Sequence, residues 1–148
     1  MALKNFTTDV PVSKTVSEIH VMLAEHGAKK IMFDYAENGE LEAICFSIST
    51  PNGEMGIRLP ANVERVRAVL QRQKNDAKTK NRSAINDSRA QAARVAWRIV
   101  KDWTAAQIAI LETEMVDVQQ VFLPYIVNNS GQTVYELWQD SLPLLGGR

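Results

Sequence analysis

Two Asn-Gly pairs, Asn38-Gly39 and Asn52-Gly53, cut residues 31–60 into three runs, each about one strand long. In the first run Ile31, Phe33 and Tyr35 alternate with Met32 and Asp34. The second, Leu41 to Ser49, carries Ile44, Phe46 and Ile48 on one face. In the third, Met55, Ile57 and Leu59 alternate with Gly56 and Arg58 until Pro60 stops the run. Alternation at period two sends successive side chains to opposite faces of a sheet. Asn38-Gly39 suits the positive φ angles of a type I′ hairpin, and Asn52-Gly53 marks a second turn. The region is therefore predicted to form a three-stranded antiparallel meander with one face buried under flanking helices.

Helical signals lie on both sides. Thr15 and Glu18 have the spacing of a capping box, Val16, Ile19 and Leu23 follow at helical intervals, and Gly27 suits a C′ position. A first helix is predicted over 14–26. Asn62 is placed to cap a second, over 63–73, with Val63, Val66, Val69 and Leu70 facing inward. Residues 74–88 turn polar and basic, as a loop or as an extension of that helix. A long helix is predicted over 88–114, because Ala92, Ala96, Ile99, Trp103, Ala106 and Ile110 recur at three and four residues. A helix this apolar requires cover on more than one side, from the sheet or from a second copy. Asp117 and Gln120 open a short helix that Pro124 ends, and Thr133 with Glu136 caps a last one, with residues 142–148 as a frayed tail. The expected fold class is α+β: one domain over 1–148, with an α-β-β-β-α half at 14–73, a basic connection at 74–88 and a helical half at 88–140.

A formal net charge of zero conceals strong segregation. Residues 65–101 hold eleven Lys/Arg against two acids, +9. Residues 1–64 hold five against nine, −4, and residues 102–148 hold one against six, −5. Segregation of this kind points to a polyanionic partner or to an acidic surface elsewhere in an assembly.

Few residues carry chemistry. The two histidines, His20 and His26, do not share a helical face, and Cys45 is distant from both in sequence, so no zinc-type spacing exists. Nucleophile elbows, Cys/His arrangements at family spacings and glycine-rich phosphate loops are absent. Glu37, Glu40 and Glu42 gather at the first hairpin, where an exposed, solubilising turn accounts for them. The single cysteine permits no intrachain disulfide, which suits a reducing, cytoplasmic setting. No apolar run approaches the roughly 18 residues of a membrane span. No cofactor is implied.

The basic segment is the functional lead. Arg94, Arg98 and Lys101, at intervals of four and three, line one stripe of the long helix with Trp97 beside it and Trp103 nearly opposite, on the buried side. Arg65, Arg67, Arg72, Lys74, Lys78, Lys80, Arg82 and Arg89 lead into that stripe. Cations that neutralise phosphates release counterions, and an aromatic beside guanidinium groups can stack on an unpaired base.

Two resemblances bear on this. The α-β-β-β-α order of 14–73 matches the topology of double-stranded RNA-binding domains. The second helix, however, opens Asn62-Val63-Glu64-Arg65 without the lysine cluster of those domains, and the sheet loop is Pro51-Asn52-Gly53-Glu54, so the function does not carry over. His26-Gly27-Ala28-Lys29, Arg58-Leu59-Pro60-Ala61-Asn62, the stretch from Trp97 to Trp103, and Val121-Phe122-Leu123-Pro124-Tyr125 resemble a family of small phage and mobile-element proteins of unassigned function. That resemblance implies a phage-type gene and no site residues. The leading expectation is a non-enzymatic accessory that binds nucleic acid or a nucleotide. The alternatives are an inhibitor of host defence, acting on a host protein or sequestering a nucleotide signal, and a homo-oligomeric scaffold.

Overall fold

The computed structural model describes residues 2–146, with side chains described through Ser141. Its elements are α1 (Val12–Glu25), β1 (Lys30–Tyr35), β2 (Leu41–Thr50), β3 (Gly53–Pro60), α2 (Val63–Asn75), α3 (Arg89–Glu112), α4 (Val118–Phe122), β4 (Ile126–Val127) and α5 (Val134–Gly146). Short 3-10 turns sit at Arg82–Ala84 and Leu123–Tyr125. The class is α+β, with four antiparallel strands in the order β1-β2-β3-β4. The residues divide into two compact units: 1–22 with 61–106, and 23–60 with 107–148.

The second of these units contains the sheet. The three expected strands form in the expected order, and β4 extends the meander by pairing Val127 with Gly56 and Ile126 with Ile57. Ile44, Phe46, Ile48, Ile57 and Leu59 are buried, as their alternation requires. Phe46 meets Phe122 of α4 edge-on, with ring centroids 5.5 Å apart, a favourable aromatic geometry. Neither hairpin is type I′, which needs positive φ at both central residues. Gly39 and Gly53 take φ of +83° and +115°, but Asn38 and Asn52 do not. The first hairpin closes instead through Gly39 N–H to Ala36 O (2.9 Å) and Ala36 N–H to Glu40 O (2.8 Å), a longer loop in which glycine alone crosses to the left-handed side. In α5, Thr133 Oγ1 accepts from Glu136 N–H (3.1 Å) while Glu136 Oε1 accepts from Thr133 N–H (2.9 Å), the reciprocal cap that its sequence spells. The helix runs to Gly146, where a frayed tail was expected from Leu142. The rest of that tail, 147–148, lies outside the described residues.

The helical unit departs more from expectation. The helix predicted over 14–26 starts two residues earlier, at Val12 after Pro11. Thr15 and Glu18 do not cap it. Thr15 is fully buried, and both side chains accept hydrogen bonds from Arg98. Asn62 caps α2, its side chain accepting from Arg65 N–H at 3.0 Å. The connection after α2 is held by buried Thr79 and Ile85. Along α3 the buried residues are Gln91, Ala92, Val95, Ala96, Trp97, Thr104 and Ile108. Ala106 and Ile110 of the expected stripe are exposed, and Ile99 and Trp103 are half-buried. At 100° per residue, Ile108 points nearly opposite to Ile110. Thr104 escaped notice as a core residue because it is polar; buried, it donates its hydroxyl to Val100 O at 2.8 Å.

Candidate functional site: a basic helix, loop and turn

The expected binding residues separate into three groups by what surrounds them. The first is structural. Trp97, expected to flank the cationic stripe as a stacking platform, is 1% exposed and belongs to the core. Trp103, expected to be buried, is half-exposed. Arg98 donates from Nη1 to Glu18 Oε2 at 2.7 Å and to Thr15 Oγ1 at 3.3 Å, leaving its side chain only 18% exposed. Arg94 donates from Nε to Gln91 Oε1 at 2.8 Å. Gln91, itself buried, donates to the carbonyls of Phe6 and Thr8 and ties the lead-in segment to α3. The stripe exists by spacing, but two of its three cations, Arg94 and Arg98, are committed to hydrogen bonds that hold residues 6–18 in place.

The second group is paired at the surface. Arg67 Nε donates to Asp87 O at 3.2 Å, Lys74 lies 3.7 Å from Asp87, and Arg89 pairs with Glu64. Lys101, by contrast, is half-buried and makes no ion pair among the described residues, its charge reaching neighbouring Asp102 only through space. Asp102 draws Lys4 Nζ to 3.2 Å and Asn5 Nδ2 to 2.8 Å. Desolvation raises its pKa, but the hydrogen bonds from Asn5 and Lys4 outweigh it and leave the carboxyl below its ordinary value.

The third group is exposed. Arg65 and Arg72, seven residues apart, share the outer face of α2. Lys78 and Lys80 flank the inward Thr79, so alternation turns both outward. Asp76 Oδ1 accepts from Lys78 N–H at 2.9 Å and shapes this turn. Arg82 opens the 3-10 turn that packs against α2, after Asn81 in the left-handed region (φ +60°). None of these five cations makes an ion pair among the described residues. Residues 1–22 and 61–106 hold thirteen Lys/Arg against six Asp/Glu, a net +7. Of the exposed large apolar side chains among the described residues, only Val21 falls in this unit.

No protein-family model, curated protein or solved structure matches the chain.

A second polar constellation was missed by sequence reasoning. On the sheet face opposite the core, Arg58 stands across from Cys45 and Met32, and its Nη2 lies 3.7 Å from Asp34 and 4.0 Å from Glu42. The alternation Ile57-Arg58-Leu59 did place Arg58 on that face; its pairing with β1 depended on the register. Burial pushes the Cys45 thiol up, with the Asp34 charge adding to it, so it is a poor nucleophile. Among the described residues no cluster of three or more His, Cys, Asp or Glu has metal-ligand geometry. None of the described helices is long and apolar enough to cross a membrane.

Proposed function

We propose that the chain is a non-enzymatic accessory of the phage or mobile-element type that binds the phosphate backbone of a nucleic acid through Arg65, Arg72, Lys78, Lys80 and Arg82. The observation that carries this reading is the company these cations keep. Among the described residues they are exposed and without ion pairs, in a unit of charge +7 where Val21 is the one exposed large aliphatic side chain. A protein partner is anchored chiefly by buried aromatic and apolar hot spots, and this surface offers almost nothing of that kind. A phosphate backbone needs only closely spaced cations. Trp97, the aromatic expected beside these cations to stack on unpaired bases, lies in the core and offers no such face. The binding is therefore directed at charge density, is indifferent to sequence, and favours duplex over single strand.

Fluorescence anisotropy with a short labelled duplex tests this. Five neutralised phosphates give a log-log salt dependence with a slope of about −4.5. Replacing all five cations by glutamine abolishes binding, whereas Arg98→Met leaves it unchanged. Absence of binding at low salt, or equal binding by the five-fold variant, overturns the proposal.

A further inference from the structure

The open face of the sheet carries a site independent of the basic surface. Two cavities, of about 380 and 540 Å³, share Arg58 and Gly131 in their linings. Both fall within the usual size of small-molecule sites, roughly 300–1,000 Å³. The smaller lies on the strands themselves, over Met32, Cys45 and Gly56. The larger has Pro60, Pro124, Tyr125 and Tyr135 among its walls. Gly56 keeps the floor low, because a Cβ there would meet Val127 Cγ2 at 3.1 Å.

Arg58 sits where the two meet, with its side chain 27% exposed. Its distances to Asp34 and Glu42, 3.7 and 4.0 Å, exceed hydrogen-bond length, and it donates no hydrogen bond to the described residues. A guanidinium has five donors in a fixed plane, and a carboxylate accepts only. The site thus offers planar donors beside acceptors, with apolar surface on either side.

That combination selects the ligand by elimination. Residues 23–60 and 107–148 hold four Lys/Arg against eleven Asp/Glu, a net −7. Glu136 also lines the larger cavity, its carboxyl held below its ordinary range first by the backbone N–H of Thr133 and then by its hydroxyl. An anionic ligand meets three carboxylates, and a cationic one meets Arg58. A purely apolar ligand strips water from Arg58 and gives nothing back. A neutral planar ring with donors and acceptors along one edge satisfies both kinds of group, and the tyrosine and proline walls suit its faces.

We infer that this groove binds a neutral nucleobase or nucleoside, with Arg58 donating to the acceptors of its edge and Asp34 accepting from its donors. Guanine is the best match, since arginine pairs in bidentate fashion with its O6 and N7 and its ring N–H and amino groups serve the carboxylate.

Isothermal titration of the full chain with guanosine decides it. The expected result is one-to-one binding, with guanosine 5′-monophosphate weaker because its phosphate enters an acidic unit. Arg58→Met and Asp34→Asn each weaken guanosine by about tenfold or more, the worth of one bidentate pair. Arg58→Lys keeps the charge and the fold but loses the planar fork, and weakens it similarly. Circular dichroism melts verify that the variants remain folded, and duplex binding is unchanged in all three, which separates this site from the basic surface. Absence of saturable binding by guanosine, equal binding by Arg58→Met, or tighter binding of the monophosphate overturns the inference.

Discussion

The two compact units carry equal and opposite charge, +7 and −7, yet they use their arginines in opposite ways. In the basic unit the guanidinium of Arg98 is spent on structure: hydrogen bonds to Glu18 (2.7 Å) and Thr15 (3.3 Å) fasten α1 to α3. In the acidic unit Arg58, outnumbered by carboxylates, touches them only at salt-bridge distance and keeps its hydrogen-bonding capacity. Net charge therefore does not mark where a free cation is to be found. What marks it is whether the neighbouring acceptors come close enough to hydrogen-bond. In the basic unit the cations that remain exposed and without an ion pair among the described residues include the five on α2 and the loop beyond it, with Lys14 on α1 as a further one.

The strongest way to break this comparison is through Trp97. If it is core, Trp97→Ala lowers unfolding free energy by about 3–5 kcal/mol, the usual cost of deleting a large buried aromatic. Urea denaturation followed by circular dichroism measures this. A stacking tryptophan gives the reverse pattern, an unchanged midpoint with weakened nucleic-acid binding.

The residues that misled the sequence reading share a physical cause. Thr15 and Glu18 carry the spacing of a cap, but spacing is a local property and their true partner, Arg98, lies 80 residues or more along the chain. The two residues of β4 are too few to show any period, and their pairing with Gly56 and Ile57 is likewise long-range. By contrast, the strands, the Asn62 cap and the Thr133–Glu136 cap are determined by neighbours within a few residues, and all were legible. The cationic segment was legible as composition, but which of its members face water was decided by the packing of α1, α2 and α3. Arg58 was legible as an outward residue, and only the strand register revealed the carboxylates beside it.

A smaller effect sharpens the contrast between the two arginines. Arg98→Met leaves Glu18 and the buried Thr15 hydroxyl without their donor and costs about 1–3 kcal/mol. Arg58→Met removes only long, partly exposed ion pairs and changes stability by about 0.5 kcal/mol or less. Parallel urea titrations of the two variants measure the difference, and equal losses would mean that Arg58 is as structural as Arg98. The double variant Glu18→Gln with Arg98→Met recovers part of the loss, because the stranded carboxylate is gone.

The smallest expected effect is on the acid limb of stability, and it separates the units by pH. Asp102 is depressed below its ordinary value of 3.8 in the folded state. A depressed carboxyl binds fewer protons folded than unfolded, so its contribution is complete above the unfolded value and is lost as pH falls through the folded one. Asp102→Asn therefore flattens the stability profile of the chain below about pH 4, with the contacts from Lys4 and Asn5 weakened at every pH. Glu54 and Glu136 of the acidic unit are also lowered, the first mainly by the Ser47 hydroxyl and the second by the Thr133 backbone, but both are exposed. Solvent screening leaves them little leverage on folding. Acid titration followed by tryptophan fluorescence distinguishes the cases: a profile altered by Asp102→Asn and unaltered by Glu54→Gln assigns the acid sensitivity to the basic unit, whose few carboxylates are tied into its structure, and not to the unit that holds most of the acids.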